Sequence, residues 1–142
     1  MNALTKAVNR SLWVALSAIL VGGCATMGPS KEVTLSGAQE VPPVTTAASG
    51  RGTITVGADK SVSGSVTTTG VVAMAAHIHD GAPGKNGPVI IPLTKSSDNT
   101  WSVPAGAKLT DAQYESYKAG NLYVNVHSAA NKGGEVRGQL KP

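Results

Sequence analysis

The sequence is poor in cysteine, aromatic residues and charge, and each shortage excludes a class of protein. A single cysteine among 142 residues excludes an intrachain disulfide and a thiolate metal cluster. Phenylalanine is absent and aromatic residues make up 4% of the chain, so the core must consist mainly of aliphatic side chains. The net charge is +4 and the cationic residues are scattered. Without a basic stripe and stacking aromatics, we expect no nucleic-acid partner.

The first 24 residues have the pattern of a bacterial lipoprotein signal. Two basic residues precede the apolar run Leu12 to Val21, which is too short for a hydrocarbon core that needs about 20 residues. The following Val-Gly-Gly-Cys resembles a lipoprotein cleavage site. We therefore predict a signal peptide over residues 1–23, lipid attachment such as palmitate at Cys24, and a tether that ends at residue 31. The alternative is an ordinary signal peptide cut elsewhere, which would leave Cys24 as a free thiol.

If Cys24 is lipidated, the protein should have a membrane as its partner and the cell envelope as its location. Acyl chains on Cys24 would anchor the protein to a membrane of the cell envelope. Cys24 is followed by Ala25 rather than by an aspartate, which in a Gram-negative cell resembles the default signal for the outer membrane, with the protein facing the periplasm. Residues 32–142 are then left to form one modest domain.

Residues 32–142 read as short strands joined by tight turns. Runs rich in Val, Thr and Ser alternate with turns that contain glycine or proline. We predict strands over residues 32–37, 51–56, 61–67, 71–79, 88–93, 100–103, 122–128 and 135–140. One helix is predicted over residues 112–119, because Thr110 and Gln113 match a capping box and Gly120 suits the closing position. This pattern indicates an all-β fold, an antiparallel β-sandwich with one short helix.

All three histidines fall on the polar sides of predicted strands, because side chains alternate along a strand. His77 and His79 lie opposite the apolar residues of their strand, which we assign to the core: Met74, Ala76 and Ile78. His127 lies opposite the apolar residues of the strand 122–128. In the strand 135–140, Glu135 and Arg137 likewise lie on the side opposite to the apolar residues of that strand. If these strands are neighbours, their polar faces merge into one patch.

The merged patch has two interpretations. Three converging imidazoles suit copper or zinc, with water or a carboxylate completing the shell, so His77, His79 and His127 are candidate metal ligands. The candidate neighbours on the same binding face are Glu40, Tyr123, Asn125, Glu135 and Arg137. The other interpretation is a solvent-facing polar sheet without metal, in which Glu135 and Arg137 form a surface ion pair and Glu40 is a loop acid.

Four blocks of sequence resemble the CHRD domain, a module first recognised in chordin and common in bacterial secreted proteins. They are GAQEVPPV, AHIHDGAPGKNGPV, TDAQYESYKAGNLYVNVHS and GGEVRGQL, and they occur in the order of the family. The resemblance covers Glu32 to Leu140. One departure begins at Ser128, where the family usually has a threonine and then an asparagine-proline, and this departure affects a turn.

The resemblance implies an immunoglobulin-like, Greek-key β-sandwich over residues 32–142 and no catalytic role. We therefore expect a lipid-anchored envelope protein, not an enzyme, whose single domain binds a protein, a glycan or a metal. The alternative is a mononuclear copper or zinc protein that uses the three histidines for metal handling or redox chemistry. The motif positions that the family implies in this chain are Glu40, His77, His79, Gly81, Gly87, Pro88, Tyr123, Asn125, His127, Glu135, Arg137 and Gly138.

Overall fold

The computed structural model describes residues 30–142, so the predicted signal peptide and Cys24 lie outside the described residues. In this part of the chain no helix is long and apolar enough to cross a bilayer. The elements in chain order are β1 (Lys31–Ser36), a 3₁₀ turn (Gly37–Gln39), β2 (Ser49–Val56), β3 (Val62–Thr69), β4 (Ala73–Asp80), β5 (Val89–Pro92), β6 (Thr94–Ser97), β7 (Thr100–Ser102), α1 (Asp111–Lys118), β8 (Leu122–Ser128) and β9 (Val136–Gln139).

The strands form one antiparallel sheet in the order β5-β4-β8-β9-β1-β2-β3-β7-β6. Its two edge strands, β5 and β6, are consecutive in the chain and are joined through the buried Leu93, whose N–H donates to the Ala76 carbonyl oxygen at 2.9 Å. The sheet therefore curls back on itself and nearly closes around the core. The predicted all-β, antiparallel fold with one short helix is confirmed, in a sandwich-like arrangement whose hydrogen-bond ladder is continuous.

The core is aliphatic, as the composition requires. Its most completely buried side chains come from five different strands and include Leu35, Val66, Ile78, Val124 and Val136. The helix α1 begins at the predicted capping box, in which Thr110 and Gln113 bond each other's backbone N–H groups. Tyr114 and Tyr117 pack this helix against the core.

Two details of the strands differ from the prediction. Met74, which the alternation assigned to the core, is 65% exposed, and Ala73 is buried in its place. The reason is a β-bulge between Ala73 and Ala75, which adds one residue to β4 and shifts the parity before it. The strand β6 was not predicted, because all its residues are exposed and its sequence lacks apolar alternation.

Candidate metal centre

Strands β4 and β8 carry all three histidines on one face. They pair antiparallel, so that His77 lies opposite Asn125 and His127 lies opposite Ala75. The opposite face of the two strands is aliphatic and belongs to the core through Ala76, Ile78, Val124 and Val126. Strand pairing thus joins His77 and His127, which are 50 residues apart in the sequence.

The three imidazoles form one cluster. The ring centroids of His77 and His127 are 4.8 Å apart, and His79 lies 5.6 Å from the first and 6.2 Å from the second. One ring nitrogen of each histidine lies within 4.8 Å of the other two. Nitrogen ligands that share a metal ion at about 2.0–2.1 Å are themselves about 3 Å apart. The three nitrogens are therefore close enough together to be candidate ligands of one ion.

Backbone carbonyl groups fix the protonation of two of these rings. The Nδ1 atom of His79 lies 2.9 Å from the carbonyl oxygen of Gly87, and that of His127 lies 2.9 Å from the carbonyl oxygen of Lys132. A carbonyl oxygen only accepts, so both Nδ1 atoms donate a proton and both Nε2 atoms keep a lone pair in the neutral ring. In the remaining contact, His77 Nδ1 therefore donates to His127 Nε2 at 2.9 Å.

The surroundings of His77 and His79 favour the neutral forms of these two rings. Burial lowers the pKa of His77, and the neighbouring imidazoles of His127 and His79 lower it further. Burial also lowers the pKa of His79, against the opposing effect of the hydrogen bond to Gly87. Both rings are accordingly uncharged at pH 7, which is the protonation state that coordinates a metal ion.

His79 is the outer member of a three-layer stack. The Tyr123 ring lies 4.8 Å from the His79 ring with 7° between their planes, and the guanidinium carbon of Arg137 lies 3.4 Å from the Tyr123 centroid. Because β8 lies between β4 and β9, the histidine and the arginine contact opposite faces of the tyrosine. The stack therefore orients the His79 ring and keeps the guanidinium group of Arg137 out of contact with it.

The segment between β4 and β5, residues 81–88, covers this face. Arg137 donates to the carbonyl oxygens of Lys85 and Ala82 at 2.9 and 3.1 Å, and the Gly87 N–H donates to the Tyr123 hydroxyl at 3.2 Å. The sequence predicts an outward polar face. The structure instead leaves Tyr123 2% and Arg137 1% exposed, so the neighbours of the histidines are interior groups.

Glu40 directly follows the 3₁₀ turn, and its side chain extends to the same face. It is 4% exposed, and its carboxyl group lies against Gly134, where any side chain would collide with it. Burial raises the pKa of Glu40 to about 7, although the charge of Arg137 and the amide of Asn125 lower it. The structure thus places Glu40 beside Asn125 and Arg137 rather than in an exposed loop.

Glu135 belongs to a separate network. Its carboxylate accepts hydrogen bonds from Thr46, Asn131 and Ser128, the last at 2.7 Å. These hydrogen bonds, that of Thr46 first, lower the pKa of Glu135. Arg137 instead donates hydrogen bonds to the 81–88 segment and to Gln139. The ion pair between Glu135 and Arg137, which one interpretation of the sequence predicted, is therefore not formed.

Sequence reasoning missed the backbone groups that hold the site. The carbonyl groups of Gly87 and Lys132 leave no mark in a side-chain pattern. The signal that was available is the glycine content of the two loops: a Cβ atom at Gly87 would collide with the Asp80 carbonyl oxygen, and one at Gly134 with Glu40. Glycines at such positions indicate that other groups approach the backbone closely.

Comparison with known proteins agrees with the sequence blocks. The family model of the CHRD domain matches residues 32–140, a range that includes the three histidines and all of their neighbours described above. No curated protein and no solved structure matches the chain.

Proposed function

The chain belongs to the CHRD domain family, and on that premise we propose that it is a lipid-anchored module of the cell envelope that binds a copper or zinc ion. The family fits a non-enzymatic module. The ligands of the ion are His77, His79 and His127. The observation that carries this proposal is the convergence of one nitrogen from each ring within 4.8 Å.

The donor set favours copper and zinc. Imidazole nitrogen is a ligand of intermediate softness that suits these two ions, whereas calcium and magnesium require oxygen shells. The hydrogen bonds from Nδ1 of His79 and His127 to backbone carbonyl groups are the outer contacts that usually fix a ligating histidine. The separation of 2.9 Å between His77 Nδ1 and His127 Nε2 is also suitable for two ligands of one ion.

The bound ion would replace a hydrogen bond within the cluster. His77 Nδ1 donates to His127 Nε2 when no ion is bound, so this proton must leave Nδ1 or the His77 ring must turn before both nitrogens bind the same ion. The three histidines would leave at least one coordination position of the ion for an oxygen ligand. A ligand such as water could occupy it.

Membrane attachment is the second part of the proposal. The folded domain begins with β1 at Lys31, the last residue of the tether that we predict from Cys24. A short tether would hold the domain close to the membrane, which in a Gram-negative cell is the outer membrane with the domain in the periplasm. The module would then bind metal at the cell envelope.

Titration of the full chain in mild detergent tests the metal site. We expect Cu(II) or Zn(II) to bind by calorimetry at micromolar concentration or tighter, with one ion per chain. The double variant His77→Ala/His127→Ala should lose this binding. The matched control is Thr67→Ala/Thr69→Ala, which alters the exposed outer side of β3. Absence of binding by both ions in the unaltered protein would refute the proposed function.

A further inference from the structure

Three buried acceptor atoms without a partner lie beside the histidine cluster. They are Glu40 Oε1, His79 Nε2 and Asn125 Oδ1, and among residues 30–142 the one other buried side-chain atom without a hydrogen bond is Trp101 Nε1. A buried polar group without a partner is unfavourable, because it has lost its hydrogen bonds to water and gained none in the protein. Three such groups at one place indicate that a proton or a cation belongs among them.

Asn125 occupies the middle of this arrangement. It lies opposite His77 across the β4–β8 pair, two residues before His127 on the same face, and it is 2% exposed. Its Nδ2 atom donates to the Gly133 carbonyl oxygen at 3.4 Å, and this contact directs Oδ1 away from the 129–134 loop. The amide carbonyl of Asn125 is therefore a buried oxygen with no donor, on the same face of β4 and β8 as the three imidazoles.

The Asn125 side chain also connects Glu40 with His79. His79 is a diagonal neighbour of Asn125 across the β4–β8 pair, because His77 lies opposite Asn125 and His79 lies opposite Tyr123. The Glu40 carboxyl group lies against Gly134, next to the Gly133 carbonyl group that Asn125 bonds. His79 Nε2 carries a lone pair, because Nδ1 donates its proton to Gly87. Lone pairs of Asn125 and His79 thus lie close together in a buried space, which is unfavourable without a positive charge between them.

The cationic side chain closest to this space is directed elsewhere. The guanidinium group of Arg137 donates to Lys85, Ala82, Asn86 and Gln139, and the Tyr123 ring separates it from His79. Arg137 therefore lowers the pKa of Glu40 by its charge, after the larger and opposite effect of burial, but it does not donate to the unpartnered atoms.

We propose that Asn125 Oδ1 is an oxygen ligand of the ion bound by the three histidines, with the Glu40 carboxylate beside it as the countercharge. This inference rests on the proposed function and extends it to the class of ion. A shell of three nitrogens and one oxygen favours divalent Cu(II) and Zn(II). Cu(I) is selected by soft sulfur ligands, so the site discriminates against the reduced ion.

The test compares Asn125→Ala and Asn125→Asp with the unaltered full chain in detergent, using Cu(II) titration and electron paramagnetic resonance. We expect Asn125→Ala to weaken Cu(II) binding by about 10-fold or more and to change the copper hyperfine splitting. Asn125→Asp supplies a carboxylate oxygen at the same position and should restore the affinity. Asn99→Ala, which removes an exposed amide in the turn after β6, should behave like the unaltered protein.

Glu40→Gln tests the countercharge. This change keeps the shape of the side chain, and we expect about 10-fold weaker binding with the hyperfine pattern of the unaltered protein. The matched control is Glu32→Gln, since Glu32 is exposed on β1. Affinity unchanged by Glu40→Gln would remove the role of Glu40 in the proposal.

The outcomes separate this inference from the proposed function. If the unaltered chain binds Cu(II) and the folded Asn125→Ala variant has the same affinity and spectrum, the oxygen ligand is wrong and the three-histidine site stands. If the unaltered chain binds no ion, both are wrong. Should Asn125→Ala not fold, a crystal structure of the unaltered Zn(II) complex decides. A shell that contains an oxygen from the protein at about 2.0–2.2 Å supports the proposal, and nitrogen with exchangeable water alone overturns it.

Discussion

The ring of Tyr123 lies face to face with the imidazole of His79, with 4.8 Å between the centroids and 7° between the planes. Their backbones are directly opposite in the β4–β8 pair, so the stack is a cross-strand contact of the kind that stabilises sheets. It also determines where the His79 nitrogens point. The same contact therefore serves stability and the geometry of the cluster.

Substitution of Tyr123 should separate these two roles. Tyr123→Phe keeps the stacked ring and loses the acceptor for the Gly87 N–H, so we expect the free energy of unfolding to fall by about 1 kcal/mol with metal affinity almost unchanged. Tyr123→Leu removes the ring, and we expect a loss of about 2–3 kcal/mol and about 10-fold weaker metal binding. Urea unfolding and calorimetry measure the two effects. Equal metal affinity in the Phe and Leu variants would contradict the role of the stack.

Neighbouring glycines in the β8–β9 loop provide a second, matched comparison. A Cβ atom at Gly134 would collide with the Glu40 carboxyl group, and the residue has φ of 141°, whereas a Cβ atom at Gly133 would have nothing within 4 Å. We expect Gly134→Ala to lower the free energy of unfolding by at least about 2 kcal/mol. Gly133→Ala should stay within about 0.5 kcal/mol of the unaltered protein. Similar unfolding curves for the two variants would show that the protein does not require glycine at position 134 beside the Glu40 carboxyl group.

Alternation was enough to predict which side of the sheet the histidines occupy. The signal is strong in β8, where aliphatic and polar residues alternate without interruption from Leu122 to His127. It failed at Met74, because a β-bulge changes the parity and no residue type marks a bulge of this kind. Register between β4 and β8 could not be predicted either, since it depends on contacts between segments far apart in the chain.

The burial of the polar face was the larger omission. Polar residues on the far side of a strand predict exposure, but here the 81–88 segment folds over Tyr123 and Arg137. The segment is held by hydrogen bonds from Arg137 to carbonyl oxygens of Lys85 and Ala82, and every residue type has such a carbonyl group. The sequence therefore cannot distinguish a buried arginine whose hydrogen-bond partners are backbone carbonyl oxygens from an arginine on the surface.

The lipid anchor that we propose at Cys24 has a direct biochemical test. In a bacterial host grown with radioactive palmitate, the full chain should be labelled and should fractionate with membranes, because each buried methylene contributes about 0.8 kcal/mol to membrane binding. Cys24→Ala should lose the label and leave the membrane fraction. Thr26→Ala, two residues further along the chain, is the control and should keep both properties. Labelling that persists in Cys24→Ala would place the lipid elsewhere.

The Glu135 network predicts how stability depends on acid. Hydrogen bonds from Thr46, Asn131 and Ser128 hold the pKa of Glu135 below its ordinary value of 4.5. A carboxyl group whose pKa is lowered in the folded state stabilises the protein at pH values above the pKa that the group has in the unfolded chain. This contribution is lost as the pH falls through the pKa of the folded state. At pH 7 we therefore expect Glu135→Gln to reduce the free energy of unfolding by about 2 kcal/mol.

Unfolding in urea at a series of pH values isolates this contribution from those of the other carboxyl groups. The difference between the unaltered protein and Glu135→Gln should be constant from pH 7 to about pH 5 and should shrink below about pH 4.5, where the unfolded chain takes up its proton first. Glu32→Gln, at an exposed position, should show a small difference at every pH. A difference for Glu135→Gln that stays constant down to pH 2 would mean that ionisation of Glu135 adds nothing to stability, and would contradict a pKa lowered by Thr46 and its neighbours.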